Sequence, residues 1–355
     1  MTSALLLAGA VAACDTGSAV GGAQLEPAVV TVRVLDDSDD PAIWVDRDDA
    51  ARSLILGTDK HDTNGGVYVF DLNGRIDRER SVLGLQRMNN VDIVEGFRLG
   101  ERSIDIALAT ERNRGVLRIF ELPSMREIDG GGIQVFDGDD ARAPMGVAGY
   151  TRAHDGAVFA IVGGKSGPSE GYLWQYRLED NGVGVVRAAK VRALGRFSGR
   201  AEIEAIAVDD QLGYVYYSDE TVGIRKYHAD PDSGSTELAL FGTSGFAEDH
   251  EGIAIYARDD GTGYVLVSDQ QAGRLQVFPR EGTSRGVHDH PAIALVPVSA
   301  VDTDGIDVTH RPLGPAFPHG ALVMMSADGT FHIYRWEDVA RHIDGAFPVT
   351  PPMHN

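Results

Sequence analysis

The residues in this chain that could do chemistry are mostly carboxylates with a few bases, and they recur at similar places along it. Asp39 and Asp40, Asp92 beside Asn89 and Asn90, Glu204, Asp249 and Glu251, and Asp302, Asp304 and Asp307 stand at the openings of short apolar runs. Lys60, Arg112, Lys165, Glu220, Asp269 with Gln270, and Asp328 close others. Carboxylates crowded into a partly buried cleft oppose one another's ionisation, so such a group calls for cations. Hard oxygen ligands in that number suit Ca²⁺, which accepts about six to eight oxygens in flexible geometry. No Cys/His spacing suits zinc. His250 lies between Asp249 and Glu251, and strand alternation should turn it away from both. Several calcium ions with Lys60, Arg112 and Lys165 would form a positive pocket for a multiply charged anion, because Lys and Arg grip phosphate oxygens by charge-assisted hydrogen bonds. Two such ions could polarise a phosphoryl group and activate a water for in-line attack. No covalent nucleophile is evident.

The elements that must position these groups form a repeat. Glycines at 66, 115, 171, 223, 273 and 329 each start an alternating apolar and polar run that ends near an aromatic residue, at Phe70, Phe120, Tyr176, Tyr227, Phe278 and Tyr334. Period-2 alternation predicts strands, and a period of about 50 residues predicts propeller blades. A second apolar strand precedes each run, and a third precedes that; fourth, outer strands are weaker, as near Ser81 and Ile133. The pattern predicts an all-β, six-bladed β-propeller of four-stranded antiparallel blades. In an antiparallel meander the start of one strand and the end of the next share an edge. The groups named above should therefore meet on one face, with bases in the first three blades and carboxylates in the last three, Asp39 and Asp40 lying across the closure. Asp48-Asp49, Asp209-Asp210 and Asp259-Asp260 read as turn residues, and Lys190 and Arg192 as solvated.

The bulk composition agrees. The 355 residues include 43 glycines and 15 prolines, which fits many tight turns, and Glu337 to His342 is the clearest helix candidate. A net charge of −21 should repel nucleic acid and anionic membranes, which need a basic footprint. The single cysteine, Cys14, excludes an internal disulfide. It ends an apolar run from Leu5 that reads as a signal-peptide core, and Val11-Ala12-Ala13-Cys14 matches a bacterial lipobox. The expectation is an exported monomer (periplasmic, cell-surface or secreted) that touches a membrane only through a lipid on Cys14. The expected organisation is a leader over 1–14, a flexible tether over 15–30, the propeller over 31–345 and a tail over 346–355.

Taken together, the motifs Asp39-Asp40-Pro41-Ala42-Ile43-Trp44, Asn89-Asn90-Val91-Asp92-Ile93, Gly164-Lys165, Glu204 with Asp209-Asp210, Asp249-His250-Glu251-Gly252 and Asp302-Thr303-Asp304-Gly305-Ile306-Asp307 resemble the β-propeller phytases. Gly314-Pro315 and Trp336-Glu337 also match, so the resemblance spans about Val32 to Ile343. It implies a calcium-dependent phosphomonoesterase that hydrolyses phytate, myo-inositol hexakisphosphate, by attack of a water held between calcium ions. The calcium ligands it implies are Asp39, Glu204, Glu220, Asp249, Glu251, Gln270 and Asp304, of which Glu204, Glu251 and Asp304 would be catalytic. Asp40, with the carbonyls of Pro41 and Val91, would form a neighbouring structural calcium site. Lys60, Arg112 and Lys165 would bind substrate phosphates. Ser166 stands where the family usually has an acidic residue, and Met145 replaces an aromatic one. The acidic stretch before Asp302 is shortened and the loop after Asp328 is cut back, so the resemblance does not carry one peripheral calcium site over. Two other readings stay open: a calcium-stabilised propeller lipoprotein that binds an anion without turnover, and a lactonase-like propeller hydrolase with one central calcium. The histidine phosphatase core is missing, because Arg341-His342 is followed by Ile343.

Overall fold

The computed structural model describes residues 24–345. The expected leader with Cys14 and the 346–355 tail lie outside them. No helix among the described residues is long and apolar enough to cross a membrane.

A short strand, β1 (Val29–Val30), comes first, and six antiparallel sheets follow around an axis. Blade 1 is β2 (Ser38–Trp44), β3 (Leu54–Asp59), β4 (Gly65–Phe70) and β5 (Val82–Leu85). Blade 2 is β6 (Met88–Leu99), β7 (Arg102–Glu111) and β8 (Val116–Leu122), with β9 (Arg126–Glu127) and β10 (Ile133–Gln134) sharing its outer edge. Blade 3 is β11 (Pro144–Thr151), β12 (Val158–Gly164), β13 (Glu170–Asp180) and β14 (Val186–Arg196). Blade 4 is β15 (Ile206–Asp209), β16 (Tyr214–Asp219), β17 (Gly223–His228) and β18 (Ala239–Phe241). Blade 5 is β19 (Ile253–Ala257), β20 (Gly263–Asp269), β21 (Arg274–Pro279) and β22 (Ala294–Pro297). Blade 6 is β23 (Ile306–Thr309), β24 (Ala321–Ser326) and β25 (Thr330–Arg335), and its outer strand is β1, paired as Val29↔Ile333. The helix α1 (Trp336–Gly345) follows, its Trp336 ring stacked on Tyr256 at 3.5 Å.

The six-bladed architecture is therefore as the repeat predicts, with one correction. The tether ends sooner than residue 30: Leu25 is buried and its N–H donates to the Pro297 carbonyl at 2.9 Å. Closing the last blade with the first strand ties the two ends of the described residues into one sheet.

The core is divided into six apolar layers, one between each pair of neighbouring blades. Strand alternation sends successive side chains to opposite layers. Along β3, Ile55 packs toward blade 6 while Leu54 and Leu56 pack toward blade 2. Both faces are covered, which is why the middles of the second strands are largely apolar.

One other expectation is overturned. Arg192 is buried and donates to Gln175 Oε1 at 2.9 Å and to the carbonyls of His228 and Asp230, whereas Lys190 is exposed as expected, its ammonium 3.0 Å over the Trp174 ring. Arg192 finds its amide and carbonyl partners between blade edges, which charge alone does not reveal. Asp209 holds its turn as expected, its Oδ1 accepting the Leu212 N–H at 2.9 Å, but it is buried and also clamps Arg280 Nη2 at 2.6 Å.

Candidate active site

Four of the six second strands end in a buried carboxylate: Asp59, Glu111, Asp219 and Asp269. Each ties down the loop that leads into its own blade's inner strand. Asp59 accepts the N–H of Asp36 at 3.1 Å, Glu111 that of Gln86 at 2.9 Å, Asp219 the Ser198 hydroxyl at 2.7 Å and Asp269 the N–H of Ala247 at 2.8 Å. The next residue then carries the candidate site side chain, as Lys60, Arg112, Glu220 and Gln270. In blade 3 Lys165 takes this place after Gly164. Asp269, placed on the functional rim by the sequence reading, thus belongs to the loop anchors. Asp328 also leaves the rim, because it accepts the Thr330 hydroxyl at 2.6 Å within its own turn.

The inner strands bring their opening residues together through glycines. A Cβ on Gly146 would lie 1.9 Å from the Glu204 carbonyl oxygen, and one on Gly305 would lie 1.9 Å from Asp40 Oδ1. Neighbouring blades can approach this closely only where the side chain is absent.

Around the axis the pieces connect. Lys60 Nζ lies 2.6 Å from Asp304 Oδ2 and 3.0 Å from Asp39 Oδ1, joining blades 1 and 6. Asn89 donates to Asp39 Oδ2 at 2.9 Å and to Glu204 Oε1 at 3.3 Å. Gln270 donates to Asp304 Oδ1 at 2.7 Å, so its own oxygen faces Gln271, at 2.6 Å. Gln271 also donates to Asp249 at 2.9 Å. Glu220 accepts the Glu202 N–H at 3.0 Å, and Lys165 pairs with the Glu202 carboxylate. Glu202 escaped the sequence reading: it stands two residues before Glu204, ahead of β15, where no strand pattern marks it. Met145 is buried with its carbonyl taken by the Thr110 hydroxyl, and the Ser166 hydroxyl donates to the Ala141 carbonyl at 3.1 Å.

The electrostatics follow from this crowding. Burial pushes the Glu204 pKa up, and the charges of Asp39 and Asp304 push it further against Lys60 and Arg112. Glu251 is raised by burial and by Asp304, Glu204 and Glu220. Asp304 is raised by burial and Asp39, with Lys60 opposing. Glu220 is pushed up to about 7, chiefly by burial. Burial would lower the pKa of Lys60, but Asp39 and Asp304 override it and hold the ammonium charged. Arg112 is lowered by burial, with Glu204 opposing.

Just below, Asp40, Pro41, Asn90, Val91, Asp92 and Asp307 line a cavity of about 120 Å³ on the axis. Asp40 Oδ2 accepts the Val91 N–H at 3.0 Å, and burial pushes its pKa up strongly.

The expected calcium ligands share this rim, yet among the described residues no three His, Cys, Asp or Glu side chains converge closely enough to hold a metal ion. Lys60, Asn89 and Gln270 take up the carboxylate oxygens instead, as a carboxylate cluster must find some positive partner. The donor chemistry still fits calcium. The acceptors are hard oxygens, and the buried side-chain oxygens of Asn89 and Asn90 accept no hydrogen bond.

An all-β propeller with a basic arc facing buried carboxylates on one rim is the class these features define. The chain belongs to the phytase family, whose model matches residues 2–351. It is similar to the 3-phytase of Bacillus subtilis (strain 168), with 31% identity over 328 residues, covering 87% of this chain and 81% of the relative. Among solved structures, BBS1N in complex with ARL6DN aligns over 79% of this chain and 74% of its own, at 11% identity and a TM-score of 0.45, too weak a likeness to bear on function.

Proposed function

We propose that the protein is a calcium-dependent phosphomonoesterase that hydrolyses phytate to lower inositol phosphates and phosphate, of the 3-phytase type that its relative's name describes. The observation that carries this reading is the bridge of Lys60 between Asp39 and Asp304, with Arg112 and Glu204 beside it. It supplies phosphate-binding cations and oxygen ligands within one rim. Asp39, Glu204, Glu220, Asp249, Glu251, Gln270 and Asp304 would hold calcium ions there, and Asp40 with the carbonyls of Pro41 and Val91 another. When bound, calcium supplies a Lewis acid for the phosphoryl oxygens and an acidified water. Lys60 and Arg112 orient the phosphate and neutralise its charge; Lys165, half exposed beside Glu202, serves a more outlying phosphate. Family membership favours turnover over anion binding alone.

The test is phosphate release from phytate, with calcium and after chelation, between about pH 6 and 8. Release that needs calcium is expected. No release at any calcium level would sink the enzyme reading, and undiminished release after chelation would remove the metal from it.

A further inference from the structure

Between Lys60 and Arg112 stands another cation with no role in the reading above. Arg87 immediately precedes β6, and its backbone is bolted to both neighbours. Its N–H donates to the His61 carbonyl at 3.0 Å, one residue beyond Lys60, and its carbonyl accepts the Arg112 N–H at 3.0 Å. Its φ is +56°, a left-handed conformation that residues with a side chain seldom adopt. The loop therefore fixes where this side chain leaves the backbone.

The guanidinium pairs with Asp62 at 2.9 Å, the two side chains being 32% and 67% exposed. Such a pair contributes little in water, so a better acceptor can displace it. The Arg87 charge also reaches Arg112 and adds to the lowering of its pKa by burial. Arg112 Nε is itself buried with no acceptor. Two guanidinium groups on one stretch of rim, one weakly paired and one short of an acceptor, suit an anion carrying more than one phosphate, since Arg matches phosphate oxygens through its planar fork.

We infer that Arg87 is a specificity-determining residue that grips a second phosphate of a multiply phosphorylated substrate while Lys60 and Arg112 hold the first. The inference rests on the phosphate-ester reading above. Arg87 does not touch the reacting phosphate, so its removal weakens substrate capture more than the chemical step.

The experiment compares wild type, Arg87→Gln and Arg87→Lys in steady-state kinetics on phytate and on p-nitrophenyl phosphate, with calorimetric titration of phytate alongside. For Arg87→Gln, KM for phytate should rise about tenfold with kcat nearly unchanged, as for loss of one charge-assisted phosphate contact. The KM for p-nitrophenyl phosphate should rise less, and Arg87→Lys should recover part of the phytate loss. The phytate Kd should weaken in step. An unchanged phytate KM and Kd, or an equal loss on both substrates, overturns the assignment. If the wild type binds phytate without turning it over, the enzyme reading fails and the Kd comparison still decides Arg87. If it binds no phytate at all, both fail.

Discussion

Two acidic groups lie near the propeller axis, at or just ahead of the inner strands, and they are held in different ways. On the rim, the oxygens of Asp39, Glu204 and Asp304 are met by Lys60, Asn89 and Gln270. These partners are side chains, free to turn toward another ligand. In the channel, backbone N–H groups meet the carboxylates. Asp40 accepts from Val91, Asp307 from Ile43 at 2.7 Å, and Asp92 from Gly149 at 2.7 Å. Each of these bonds runs from one blade to the next, and together they satisfy inner-strand donors that no further strand pairs. The same residue type therefore does exchangeable work above and fixed, blade-joining work below.

The sharpest way to break this contrast is to neutralise one member of each group. Glu204→Gln should lower kcat on phytate by about a hundredfold or more and leave the circular dichroism spectrum and, in chelator, the Tm close to wild type. Near-normal turnover in that variant would dissolve the rim as a site. Asp307→Ala should do the reverse. It orphans the N–H groups of Ile43 and Val308, each at a cost of about 1–3 kcal/mol. Denaturant unfolding should show the loss, with kcat per folded molecule little altered. An Asp307→Ala protein as stable as wild type would mean that the channel carboxylates join nothing.

Calcium should act on the rim and register as stability. A site that binds only the folded state contributes about 2.7 kcal/mol when free calcium is about a hundredfold above its Kd. Scanning calorimetry should show a Tm that rises with calcium and falls on chelation, with the rise reduced in Glu204→Gln. A Tm indifferent to calcium in the wild type would count against the ligand set.

The last effect is one of pH, read in chelator. Burial pushes the Asp307 pKa up to about 7, with the charge of Asp92 adding to it. The folded state then holds this proton more tightly than the unfolded chain, whose aspartates titrate near about 3.9. The contribution is fully present below that value and is lost as pH rises toward 7, by at most about 1.4 kcal/mol per pH unit. Asp307→Asn should flatten the slope, measured by urea midpoints across that range; an unchanged slope would place the titration elsewhere.

The blade count, the shared strand edge and the split between bases and carboxylates were legible in the sequence by themselves. They rest on local patterns: period-2 alternation, glycine punctuation, and side chains at fixed offsets from strand ends. The tertiary structure alone decided which groups meet. Lys60 bonds Asp304, 244 residues away, because closure of the ring brings the first and last blades together. β1 completes blade 6 for the same reason. It also separated Asp59 from Lys60 and Asp269 from Gln270, turning one inward to anchor a loop and the other onto the rim. Past a strand's end the alternation stops, and the hydrogen bonds of the turn then determine the side-chain direction.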